Sequence, residues 1–408
     1  MPPTTYRADI DGLRAVAVLS VVGFHAFPGW VPGGFVGVDV FFVISGFLIS
    51  TIIITGLKDG SFTFTGFYAR RVRRIFPAFI VVLAACFAFG WFALLSDEFM
   101  QLGKHIAGGA GFVSNFVLWS ESGYFDTSAE TKPLLHAWSL GVEEQFYVLW
   151  PLLLWLAWKS RFNVAALAAV VAGGSLALNL AIHHSDPVAA FYSPQTRFWE
   201  LMLGSLLAYA ALFSPALSGR AEPNAGAYRG TLRELQSVLG VACIVTGVLI
   251  FTRQYSFPGF WALLPTLGAA LIIGAGPGAW FNRAILSNRL LVWIGLISFP
   301  LYLWHWPLLS YARIIESETP ERSIRIGAVV LSIVLAGLTY ALIERPIRFG
   351  RRRSAGTVSL VLLMIAIGGV GYYAYAEEGL EFRAVVKSYK NNKNELIRLP
   401  ANDEVCDR

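Results

Sequence analysis

The chain has 408 residues, of which 56% are hydrophobic and 14% charged, with a mean hydropathy of +0.58. This composition excludes a soluble globular protein and predicts an all-α, polytopic integral membrane bundle. The net charge of +6 does not point to nucleic acid, because the basic residues lie in short gaps between apolar runs, where they set topology, and not in a soluble basic domain with its own core.

Eleven stretches read as transmembrane helices: residues 10–28, 35–55, 75–95, 138–158, 163–182, 196–213, 235–252, 261–278, 290–312, 324–343 and 357–376. Basic clusters follow the even-numbered stretches, at Arg70–Arg74, Lys159/Arg161, Arg220/Arg229/Arg233, Arg283/Arg289 and Arg345–Arg353. The positive-inside rule then predicts a cytoplasmic N-terminus and a C-terminus outside. No small-residue cleavage site follows the first apolar run, so it does not read as a signal peptide. Residues 97–119, with Lys104 and His105 near the middle, are only half apolar and predict a re-entrant or interfacial segment at the outer leaflet. The aromatic and basic run Ser61–Pro77 suits the inner interface. The chain divides into a transmembrane domain over 1–350, an extra helix over 351–376, and a charged tail over 377–408 that reads as a linker toward a missing domain. Cys86, Cys243 and Cys406 have no metal-ligand spacing; the first two fall in apolar runs and read as small core residues.

Within the first stretch, Arg14 and His25 are eleven positions apart. At about 100° and 1.5 Å per residue they lie within roughly 20° of one helix face and about 16 Å apart along it. A charged side chain inside the bilayer marks function by default, and imidazole is the usual general base near neutral pH. Arg14 needs an anion, supplied by Asp9, Asp11 or a ligand phosphate. Asp39 reads equally as a helix cap and as a carboxylate that orients an imidazole. Ser45-Gly46 lacks a nucleophile elbow and reads as a helix-packing pair. Of Arg70, Arg71, Arg73 and Arg74, the pair Arg71 and Arg74 shares a face at i, i+3 and can clamp phosphates. Glu143 and Glu144 do not share a face, so one of them is available, with His136 or Gln145, to orient a hydroxyl. His305, between Trp304 and Trp306 and flanked by Pro300 and Pro307, is either an interface residue or part of a sugar site.

In order along the chain, these segments resemble the acyltransferase-3 family of bacterial membrane O-acetylases, over residue 6 to about 350. The resemblance rests on R-x10-H (Arg14, His25), G-V-D-V-F-F-V-I-S-G-F-L-I (Gly37–Ile49), R-R-V-R-R-I-F-P (Arg70–Pro77), W-S-L-G-V-E-E-Q-F-Y (Trp138–Tyr147), S-F-P-L-Y-L-W-H-W-P (Ser298–Pro307) and I-E-R-P-I-R (Ile343–Arg348). The eleventh stretch and outward tail are similar to the subgroup fused to a periplasmic SGNH-hydrolase-like domain, which includes O-antigen acetylases; no G-D-S block follows residue 376 here.

The resemblance implies a bacterial inner-membrane enzyme. It would move an acyl group, usually acetyl, from cytoplasmic acyl-coenzyme A (acetyl-CoA) to a hydroxyl of an envelope glycan such as lipopolysaccharide O-antigen. Its partners would be that donor, the glycan, membrane lipid and an SGNH-like domain, with no metal and no nucleic acid. His25 would be catalytic, as a base or an acylated nucleophile, with Arg14, Asp39 and Glu143. Arg70, Arg71 and Arg74 would hold the donor phosphates, and Glu144, Tyr302, Trp304 and His305 the acceptor. The alternative class is a transporter or lipid-linked glycan flippase with Arg14, His25 and Asp39 as a proton relay.

Overall fold

A computed structural model describes residues 6–122, 129–213, 226–350 and 353–389. Cys406 and the tail beyond residue 389 lie outside the described residues. Of the described residues 83% are helical, and none lies in a strand.

In chain order the helices are α1 (Ala8–Ala26), α2 (Gly37–Lys58), α3 (Phe64–Ala93), α4 (Ser96–Ala110), α5 (Ser114–Glu121), α6 (Ala137–Lys159), α7 (Val164–Ile182), α8 (Pro187–Tyr192), α9 (Pro194–Phe213), α10 (Gly226–Ile250), α11 (Leu263–Ala275), α12 (Arg289–Leu296), α13 (Ser298–Glu316), α14 (Arg322–Leu338), α15 (Arg345–Phe349) and α16 (Arg353–Ala376). Each of the eleven predicted stretches falls on a helix or on the α12–α13 pair. Among the described residues, six helices are long and apolar enough to cross a membrane, and α12 with α13, bent by 67°, makes a seventh if counted as one span. The fold is an all-helical membrane bundle.

Local chemistry sets several boundaries. Thr63 caps α3 by accepting from the Gly66 amide, and Asn163 caps α7 by accepting from the amides of Ala165 and Ala166. The predicted re-entrant segment is the α4–α5 hairpin. With 15 and 8 residues, its arms reach only about 22 and 12 Å, short of a ~30 Å hydrocarbon core. Its open end is tied by Glu121, which pairs with Lys104 at 2.8 Å, His105 at 2.9 Å and Lys132 at 3.0 Å. Burial alone would raise the Glu121 pKa, but the hydrogen bonds from His105, Lys104 and Lys132 outweigh it and hold the carboxyl well below the usual carboxylate range.

The centre of the bundle is organised by close approach of α2 and α9. A Cβ on Gly46 would sit 1.8 Å from the Leu201 carbonyl oxygen, and one on Gly204 would sit 2.1 Å from that of Val43. Only glycine permits this backbone contact, the small-residue packing expected where lipid gives helices no hydrophobic reason to associate. The Ser50 hydroxyl donates to Ser205 across the same seam and accepts from Trp150 Nε1. Cys86 is buried and Cys243 half-buried, both as free thiols.

Candidate active site between two cavities

Arg14, Arg71 and Arg74 gather at one end of the bundle, here called the basic end. They line a narrow cavity of about 80 Å³ whose walls include Phe41, Ile44, Leu48 and Ile49 and which reaches Ser139 and Tyr302. Arg14 donates to Asp11 at 3.1 Å, and Tyr6 donates to the other Asp11 oxygen at 2.8 Å, so Asp11 is the anion Arg14 required. Asp9 pairs instead with Arg7. Among the described residues no carboxylate forms an ion pair with Arg71 or Arg74, and Arg71 Nε is buried without a hydrogen-bond partner. Arg70 is exposed and is not among the lining residues: one residue's step turns a side chain by about 100°, which carries Arg70 off the face that Arg71 and Arg74 share.

The other end is built around three histidines. His25 Nδ1 lies 2.9 Å from His305 Nε2, with the two rings stacked at 5.2 Å. His136 crosses His305 edge-on at 5.8 Å, and Trp306 stands edge-on to His25 at 4.4 Å. A cavity of about 210 Å³ is lined by His25, His136, Asp39, Arg197, Trp306 and Tyr302, among others. Val38 and Tyr302 line this cavity and the basic-end cavity alike. Arg14 and His25, on one helix stripe, therefore face two different cavities with a common wall.

The hydrogen bonds assign the tautomers. His305 Nδ1 lies 2.7 Å from the Tyr302 carbonyl oxygen, and a carbonyl only accepts, so Nδ1 carries the hydrogen. In the neutral ring Nε2 then offers a lone pair. His25 Nδ1 must donate to it, which leaves the lone pair of His25 on Nε2. The pair is a backbone-anchored relay that aims a base nitrogen away from His305. Tyr302 is held at 2.7 Å from Ser139 Oγ and 2.9 Å from the His136 carbonyl oxygen, to which it donates. Both ring nitrogens of His136 are buried without hydrogen-bond partners.

Several residues singled out from sequence sit elsewhere. Asp39 accepts from Arg197 at 2.8 Å, and no imidazole donates to it. Arg197 also pairs with Glu200 at 3.1 Å, and all three are at most 1% exposed. Asp39 thus lines the histidine cavity but orients a guanidinium there. Glu143 belongs to the basic-end cavity, where Ser45 and Tyr147 donate to the same carboxylate oxygen; it is not on the histidine side. Glu144 is not among the lining residues, and its Oε1 is buried without a partner. Trp304 donates to Thr339 Oγ1 at 3.0 Å, a packing role in the α13–α14 region. His305 contacts His25, so the structure gives it a partner imidazole in place of a sugar face. Gln145 is engaged by Asn115 and the Phe112 carbonyl. Sequence reasoning missed Arg197 and Glu200, although a charge inside an apolar stretch, with its partner at i+3, is the signal that identified Arg14.

The family described as Acyltransferase domain matches residues 7–341. The chain belongs to this acyltransferase family. It is 32% identical over 84% of its length to the "Putative peptidoglycan O-acetyltransferase YrhL" of Bacillus subtilis and 31% identical over 84% to the "Peptidoglycan O-acetyltransferase OatA" of Listeria monocytogenes. A "Putative O-acetyltransferase" of Staphylococcus aureus is 32% identical, again over 84% of the chain. The chain covers 55%, 56% and 57% of these relatives, little more than half of their length. No solved structure matches. The names of the first two relatives point to peptidoglycan and not to the O-antigen expected from the subgroup resemblance.

Proposed function

We propose that the protein is a membrane O-acetyltransferase that takes acetyl from acetyl-CoA at the basic end and delivers it to a glycan hydroxyl at the histidine end. The observation that carries this reading is the His25–His305 relay beside Tyr302 and Val38, the wall common to the two cavities. The basic end is cytoplasmic by the positive-inside argument, and the membrane is the bacterial cytoplasmic membrane.

Arg71 and Arg74, without carboxylate partners, take the donor phosphates as charge-assisted hydrogen bonds. The apolar walls beyond them suit the donor's pantetheine arm. A cavity of about 80 Å³ holds only a few waters at roughly 30 Å³ each, so donor entry requires side chains such as Ser45, Glu143 and Tyr147 to part. At the thioester, His25 Nε2 takes the proton of the acceptor hydroxyl as its oxygen attacks the carbonyl carbon. The C–S bond breaks, and the thiolate leaves with the proton returned by His25. His305 keeps Nδ1–H of His25 engaged, so the lone pair stays on Nε2, as the orienting member of a triad does.

The acceptor is an envelope glycan, and peptidoglycan is favoured over O-antigen because relatives carry that name. Purified protein given acetyl-labelled coenzyme A and muropeptides tests the reading. Label on the sugar, absent in His25→Ala, is the expected result. Intact donor with movement of an unmodified glycan would favour a transporter.

A further inference from the structure

We propose that the outer mouth of the histidine cavity is an anion site, so that the acceptor carries a carboxylate or phosphate beside the hydroxyl that is acetylated. This deepens the acetyltransferase reading and rests on it for the word acceptor. A cavity of about 360 Å³ opens from His25 and is lined by Arg253, Arg313, Arg325, Glu130 and Trp306. His25, Glu130, Arg253 and Trp306 also line the deeper histidine cavity, so the two spaces adjoin at the base.

Three guanidiniums face one carboxylate. Glu130 takes Arg253 at 2.7 Å and Arg313 at 3.7 Å. Arg313 also borders a separate cavity lined by Asp97, Glu98, Glu318 and Lys132 and donates to Thr319 Oγ1 at 2.6 Å. Arg325 donates to the Ala26 carbonyl at 2.8 Å and lies 5.3 Å over the Phe27 ring. Among the described residues it has no carboxylate partner, and its Nε is buried without a hydrogen bond. The lining therefore holds excess positive charge in a cavity that His25 also lines. Arginine forks suit the paired oxygens of a carboxylate or phosphate. Trp306, fixed by its Nε1 bond to the Lys132 carbonyl, offers a rigid apolar surface to the sugar ring.

The test is a ligand-observed NMR titration of the full chain in zwitterionic nanodiscs with two sugars that differ by one lactyl carboxylate, N-acetylmuramic acid and N-acetylglucosamine. The wild type is expected to prefer the acid about tenfold, less so at high salt. Arg253→Gln with Arg325→Gln removes the preference, and the double Lys replacement keeps part of it. Equal affinity for the two sugars, or a preference that survives the Gln pair, overturns the proposal. A lipid headgroup is the other source of such an anion. If native mass spectrometry finds phosphatidylglycerol retained by the wild type and lost from the Gln pair, and this lipid abolishes acid binding, the site belongs to lipid and the acceptor assignment fails. Should the Gln pair not fold, the Lys pair and the salt series still decide. Binding is read without transfer, so the two ideas fail separately. A preference for the acid with no acetylation of either sugar sinks the acetyltransferase reading alone, whereas equal binding with equal acetylation sinks the anion site alone.

Discussion

The two ends of the bundle use charge in opposite ways. At the basic end Arg71 and Arg74 have no carboxylate partner among the described residues, and the one carboxylate lining that cavity, Glu143, is occupied by Ser45 and Tyr147. At the histidine end the deepest charges are closed on themselves, with Arg197 clasped by Asp39 and Glu200, and the reactive group is a neutral-type relay of two imidazoles. A cation in a cavity wall with no carboxylate in an ion pair to it is free to take an anion. A compensated triad is scaffold. The contrast separates residues that meet a substrate from residues that shape the space for it, although both kinds are buried and charged.

The largest effect that tests this division is at the relay. His25→Ala is expected to lower acetyl transfer by about 10³-fold with protein abundance unchanged, and His305→Ala by about 10²-fold, in the usual range for a general base and its orienting group. A His305→Ala variant with wild-type turnover would mean that the tautomer assignment has no functional weight. Next comes the donor mouth. Arg71→Gln with Arg74→Gln is expected to raise KM for acetyl-CoA about 10- to 100-fold with kcat within a few-fold. Arg70→Gln, one step around the helix, is expected to leave KM within twofold. A similar loss from Arg70 would place the phosphates on the outer surface of α3 and not in the cavity.

Asp39→Asn tests the scaffold side. Leaving Arg197 with a broken partnership in a buried site costs about 3–5 kcal/mol. A clear fall in thermal stability is expected, while the pH dependence of kcat in the protein that remains is unchanged. A shifted pH profile at undiminished stability would restore Asp39 to a role at the imidazole. The smallest effect concerns Glu121, whose depressed pKa makes its contribution to stability present above the unfolded value of about 4.3 and lost as pH falls through the folded one. Glu121→Gln is expected to lower stability by about 1–3 kcal/mol at neutral pH. The gap from wild type should stay level down to about pH 5 and narrow below pH 4, in thermal melts across that range.

Much of this division was legible in the sequence, and the exceptions follow physical lines. The helices under the apolar stretches and the short arms of the α4–α5 hairpin were readable because length and hydropathy decide them. The shared cavity of Arg71 and Arg74 was readable because i, i+3 spacing puts them on one face, whereas the stripe common to Arg14 and His25 did not show that they line different cavities. The same arithmetic separates Arg70 from Arg71 and Glu143 from Glu144 by about 100°, and Trp304 from Tyr302 by about 200°. It keeps Tyr302 and His305, at i and i+3, on the face they share. The roles of Asp39 and His305 were not readable. Each depends on which helix lies opposite, and that is set by glycine contacts between α2 and α9 and by the 67° bend at Ile297. Glu130 and Arg253 meet from two polar loops distant in sequence, where no periodicity links them.

The most direct measurement uses proteoliposomes with labelled acetyl-CoA sealed on the side of Arg71 and Arg74 and muropeptide supplied only on the side of His25. The account predicts free coenzyme A inside and labelled sugar outside, both lost in His25→Ala. Acetylated sugar formed only when donor and acceptor share one compartment would contradict it.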